Sequence, residues 1–135
     1  WELYRSIFTD EVEMDFSSLG MRGGRVKADA WVRDATVLFA GFGATQHTSS
    51  NHVHDIRGDE ATCVSYMQAV HFVDTGEGEE RWTIGGYYTN DLVRTDDGWK
   101  IRALTLTVTW TEGNREVPRI ALEKGRALLG RKRSD

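Results

Sequence analysis

Apolar and polar positions change their spacing twice along this chain. Trp1, Leu3-Tyr4 and Ile7-Phe8 recur at helical intervals, and Thr9-Asp10 closes that segment. Val12, Met14 and Phe16 then alternate with Glu11, Glu13 and Asp15, the pattern of a half-buried strand. Residues 17–24 are polar and glycine-rich and predict a loop. Residues 26–38 return to helical spacing, with Ala30, Val32 and Val37 inward, Lys27, Asp29, Arg33 and Asp34 outward, and Gly41 and Gly43 as the stop.

Beyond Gly43 the period is two. Strands are predicted over residues 51–57, 61–73, 81–95 and 99–110, with turns at Gly58-Asp59, at 74–78 and at Asp96-Asp97-Gly98. A short amphipathic helix over 120–129 follows Pro118. Alternate residues of a strand share a face. Cys63, Ser65, Met67, Ala69 and His71 therefore form one side, as do Ile84, Gly86, Tyr88 and Asn90, and as do Leu104, Leu106, Val108 and Trp110. Long antiparallel hairpins after helices give an α+β domain, with helices packed on one face of a bent sheet. The opposite face is left for a second subunit.

With 135 residues the chain is one domain, and 39% hydrophobic content with five tryptophans supports a packed core. A net charge of −4 gives no electrostatic case for nucleic acid. The basic run Arg131-Lys132-Arg133 reads as a solvated terminus. Cys63 has no cysteine partner, so a reducing compartment and a cytoplasmic location are expected. No apolar run is long enough to span a membrane. The chain begins with Trp1, so it is expected to start partway through a longer natural sequence, inside a helical segment.

The chemistry centres on Thr45-Gln46-His47, since histidine titrates nearest neutral pH and moves protons without metal or cofactor. With Asn51, Tyr66, Gln68, Gly85-Gly86-Tyr88-Thr89-Asn90 and Gly98-Trp99-Lys100 in the same order, this segment resembles the SnoaL-like branch of the nuclear-transport-factor-two-like superfamily. That branch includes relatives of scytalone dehydratase, hexachlorocyclohexane dehydrochlorinase, bile-acid dehydratase and ketosteroid isomerase. The resemblance runs from the first helix to about Trp110 and makes residues 1–135 a single SnoaL-like domain. It implies a cone-shaped, cystatin-like α+β barrel enclosing an apolar pocket, cofactor-free elimination, isomerisation or cyclisation, and a homodimer.

By the same resemblance His47 falls where the dehydratases and the dehydrochlorinase carry their catalytic base, and Tyr88 at a pocket-lining strand position. His71 lies one same-face step from the second histidine of scytalone dehydratase. The aspartate that orients the histidine in those relatives would lie upstream of Trp1, and Asp10 matches a different, structural position. Either the natural protein supplies that aspartate or His47 works alone.

His52 and His54, two apart on a strand, project together, but no third ligand at metal spacing accompanies them. No metal site is expected. Gly85-Gly86 lies inside a strand and marks a bend rather than a phosphate loop. The expectation is a cofactor-independent lyase or isomerase with His47 as base, acting on a small apolar, possibly polycyclic, molecule. His71, Tyr88, Met67 and Phe42 would hold that guest. The alternative is a small-molecule-binding or dimerisation module of the same fold without catalysis.

Overall fold

A computed structural model describes residues 1–131, so the last two residues of the basic run 131–133 lie outside the described part. The elements in chain order are α1 (Glu2–Ser6), β1 (Phe8–Asp15), β2 (Gly24–Lys27), α2 (Ala28–Ala40), β3 (Ala44–Arg57), β4 (Glu60–Asp74), β5 (Glu79–Thr95), β6 (Gly98–Gly113) and α3 (Val117–Arg131). A short 3-10 turn, Ser17–Leu19, joins β1 to β2. The six strands form one sheet in the order β2-β1-β6-β5-β4-β3. β1 runs parallel to β6 and every other pairing is antiparallel. The α+β class and the bent sheet are as the alternation implied, and the parallel β1–β6 pairing makes the sheet a mixed one.

The sheet buries one face. Met67, Ala69 and Val73 of β4, Trp82 and Ile84 of β5 and Leu106 of β6 pack with Val117 and Ala121 of α3, and Leu38 and Phe42 close over them. A second cluster of Phe8, Val12, Met14, Ala28 and Leu104 continues the interior towards α1. Phe16 and Tyr88 touch both, so the core is continuous. The two long helices cross almost backbone to backbone. A Cβ on Gly41 would collide with the Ala121 carbonyl, and one on Gly125 with the Val37 carbonyl.

Four local expectations are corrected. Phe8-Thr9-Asp10 opens β1 instead of closing a helix, because Phe8 pairs with Ile101 of β6. β2 occupies residues assigned to a loop and to the start of α2, and α2 begins at Ala28. β3 begins at Ala44, so His47 sits within a strand rather than ahead of one. Trp110 does not share a face with Val108. Gly86 pairs with Val108 but Gly85 pairs with Trp110, so a bulge at Thr109 turns the indole to the outer face, where it lies on Gly85.

Candidate active site

His47 and His71 arrive from adjacent antiparallel strands. The register places His47 opposite Ala69 and His71 opposite Thr45, so the two imidazoles are diagonal neighbours on one face. Small side chains at both directly opposed positions leave the rings room to lean together. Their Nε2 atoms lie 3.2 Å apart, with ring centroids 5.0 Å apart.

The environments of the two rings differ sharply. His71 is 5% exposed. Phe42 lies 5.0 Å from it and Trp82, its cross-strand partner on β5, 5.3 Å, centroid to centroid. Burial chiefly, and the neighbouring His47 second, push its pKa down to about 4, with the Trp82 backbone opposing the shift. His47 stands on the edge strand and is exposed, one side resting on Phe39 at 5.7 Å. Its pKa is lowered as well, by burial of the covered side. At neutral pH the pair is uncharged. The expectation of His47 enclosed in an apolar pocket is corrected: it stands at the rim of the inner face, and His71 is the enclosed member.

The other expected site residues divide by position. Phe42 touches His71 and Met67 is buried in the core beneath. Tyr88 lies on the same face of β5 but further along it, paired with Ser65 and Leu106 rather than with the histidine row. Its hydroxyl is pushed up to about 12 by burial, with Tyr4 adding to the shift. Tyr66 turns to the outer face and is 61% exposed. His52 and His54 stack with rings 6.3 Å apart, and Ser49 Oγ lies 3.1 Å from His52 Nε2. Among the described residues no group of three or more histidines, cysteines or acids is arranged to hold a metal ion.

Trp82 and Phe39 belong to the site and were not anticipated. Extending the alternation of β5 two residues back from Ile84 reaches Trp82, so its position was within reach of the pattern. Phe39 sits at the end of α2, three residues before Phe42, a spacing that reads as ordinary core. Two buried polar atoms here, His71 Nδ1 and Trp82 Nε1, have no well-formed hydrogen bond among the described residues.

The chain belongs to the SnoaL-like domain family, whose model matches residues 1–105. It has the nuclear-transport-factor-two-like fold. It is similar to a crystal structure of a Kribbella flavida protein, 34% identical over 87% of this chain and 82% of the other, with a TM-score of 0.82. A candidate scytalone dehydratase from Novosphingobium aromaticivorans shares the fold at 23% identity, covering 84% of this chain and 73% of its own, TM-score 0.70. A type 2 hexachlorocyclohexane dehydrochlorinase does so at 21% identity, covering 82% and 72%, TM-score 0.67. No match is found among functionally curated proteins. The fold's neighbours thus include dehydratase and dehydrochlorinase enzymes, both lyases.

Proposed function

We propose that this domain is a cofactor-independent lyase or isomerase in which His47 abstracts a proton from a small, largely apolar guest lying on the inner face. The supporting observation is the His47–His71 contact of 3.2 Å, with His71 set among Phe42 and Trp82.

Two neutral imidazoles in contact through nitrogen share one proton. If His71 donated it, His47 would carry its own proton on Nδ1 and keep no free lone pair. If His71 accepts, His47 Nε2–H is held and His47 Nδ1 is free to act as base. Only the second arrangement serves catalysis. His71 is then a positioning residue, neutral because burial disfavours its charged form, and able to accept from the imidazolium that His47 becomes. In an elimination, His47 Nδ1 takes the proton, the C–H electron pair forms the new double bond, and the leaving group departs with its own pair. The imidazolium then returns its proton to the leaving group or to water. Phe39 and Phe42 offer apolar surface beside the histidine pair, Met67 lies in the core beneath, and Tyr88 offers a donor further in.

A ring-opening elimination of 5-nitrobenzisoxazole tests this without knowledge of the natural substrate, because it needs only a base beside an apolar surface. The expected result is turnover above that of free imidazole, lowered by about 10²-fold or more in His47→Gln. Unchanged turnover in that variant overturns the assignment.

The second reading, a binding module without catalysis, is favoured by one observation. Among the described residues no carboxylate hydrogen-bonds either imidazole, so only a neutral ring faces the charge that His47 would acquire. For self-association we propose the outer face of the sheet, where Tyr66, Val64 and Trp110 are exposed. Sedimentation of Tyr66→Lys and Trp110→Lys variants as monomers would support a dimer formed there.

A further inference from the structure

All four histidines of the chain lie on the inner face of the sheet. Thr45, His47 and Ser49 stand opposite His71, Ala69 and Met67 of β4, which puts the odd-numbered residues of early β3 on that face. The ladder then slips. Ser50 pairs with Tyr66 and Val53 with Val64, so Asn51 and His52 together oppose Ser65, and Asn51 takes a positive φ of 53°. The extra residue exchanges the faces, and beyond it His54 and Ile56 stand opposite Cys63 and Ala61. His52, two residues before His54, is brought round with it. Without the bulge both rings would point to the outer face.

The pair is oriented but incomplete. The two rings lie 6.3 Å apart with 10° between their planes. Ser49 Oγ donates to the buried Ser65 Oγ at 3.1 Å, so it accepts from His52 Nε2, also at 3.1 Å. That contact holds the His52 ring and leaves its Nδ1 bare, a ligand atom backed by a hydrogen bond on the other nitrogen. Asp55 alternates to the outer face and pairs there with Arg57. Cys63 stands opposite His54, but among the described residues no three such groups are arranged to hold an ion.

The missing half lies beyond the sheet edge. β3 ends the sheet, all its residues are exposed, and from Ala44 to His54 it carries no Asp, Glu, Lys or Arg to discourage another strand. His52-Val53-His54 reads the same in both directions. An antiparallel second copy centred on Val53 therefore sets His52 opposite the partner's His54, and His54 opposite the partner's His52. Directly opposed side chains start about 4.5–5.5 Å apart, and same-face neighbours about 7 Å apart along a strand, so four imidazoles stand around one point. On the other face Val53, 67% exposed, meets its own copy. The regular run beyond the bulge is only Val53 to Arg57, so backbone pairing alone is weak and the contact depends on the ion.

We propose that the β3 edge is half of a zinc site, completed by the same edge of a second copy of this chain, with His52 and His54 of each chain as its four ligands. Imidazoles without hard oxygen ligands suit Zn²⁺, whose structural sites are tetrahedral with Zn–N of about 2.0–2.1 Å, rather than Ca²⁺ or Mg²⁺. His54 is exposed, so its ring turns to the ion without displacing a packed neighbour. The contact leaves the outer face of the sheet free and is independent of the role given to His47.

The test adds zinc chloride to the metal-free chain, prepared without a histidine tag, and follows mass by sedimentation velocity and uptake by titration. The mass is expected to rise about twofold over the metal-free state, with about one zinc ion bound per two chains, and to return on adding EDTA. His52→Gln and His54→Gln are each expected to keep the metal-free mass in zinc. Ser49→Ala is expected to weaken zinc binding about tenfold or more. His47→Gln and Tyr66→Lys are expected to respond to zinc as wild type does, which separates this contact from the base and from the outer face. No rise in mass, one ion per chain at unchanged mass, or a full response retained in His52→Gln or His54→Gln overturns the proposal.

Discussion

His47 and His71 are diagonal partners across the β3–β4 ladder, one ring exposed at the sheet edge and the other sealed beneath Phe42 and Trp82, joined through their Nε2 atoms at 3.2 Å. This contact couples an exposed imidazole to a buried one that resists protonation. Most of what can be tested in this domain follows from that asymmetry.

The first consequence is a pH profile. The His47 pKa is lowered from its ordinary 6.5 by burial. A base acts in its unprotonated form, so kcat/KM for 5-nitrobenzisoxazole should rise with pH along one limb whose midpoint lies below 6.5 and be flat above neutrality. A midpoint above 6.5 would mean that His47 is stabilised as a cation, contrary to its surroundings.

The second concerns stability. His71 has a folded-state pKa of about 4 against 6.5 for a free imidazole. Between those values the unfolded chain binds more protons, so stability rises with pH there. His71's contribution is complete above 6.5 and lost as pH falls towards 4. The shift corresponds to about 3 kcal/mol. Urea unfolding at pH 4 and pH 7 should show a difference of that order in wild type and a smaller one in His71→Gln. Equal pH dependence in both proteins would remove His71 as its source.

A third consequence lies in the helix crossing. Alanine has the higher helix propensity, yet Gly125→Ala should destabilise, because its methyl group would meet the Val37 carbonyl across the α2–α3 contact. Overpacking of this kind costs roughly 1–3 kcal/mol. Gly130→Ala on the same helix meets nothing within 4 Å of the new methyl among the described residues and serves as the comparison. Thermal unfolding of both variants separates crowding from propensity.

The outer face provides a fourth. Trp110 lies on Gly85 because a bulge at Thr109 turns it outward, and no side chain fits at Gly85 beneath the indole. Gly85→Val should displace Trp110 and change its fluorescence. Unaltered indole emission would show that the ring is held by something other than the flat strand.

The sequence was legible where burial imposes a period. β4, β5 and β6 alternate because one face is core, and their turns are marked by Gly58, Gly76, Gly78 and Gly98, all at positive φ. The first half of β3 was not legible. Ala44 to Ser50 is exposed on an edge strand, so no hydrophobic alternation betrays it. β2 has four residues and one partner, too little to stamp a pattern. The face of Trp110 depends on a single extra residue that leaves no mark in composition. His47 and His71 could each be picked out by residue type and resemblance, but their contact depends on register. A shift of one residue in the β3–β4 pairing would have put the rings on opposite faces.

The most direct measurement is the tautomeric state of the two imidazoles, read at neutral pH by long-range proton–nitrogen NMR on the labelled protein. Both rings are expected to be neutral, His47 protonated on Nε2 and His71 on Nδ1. A proton on His47 Nδ1, with His71 donating from Nε2, would leave His47 without a basic nitrogen and would contradict its assignment as the base.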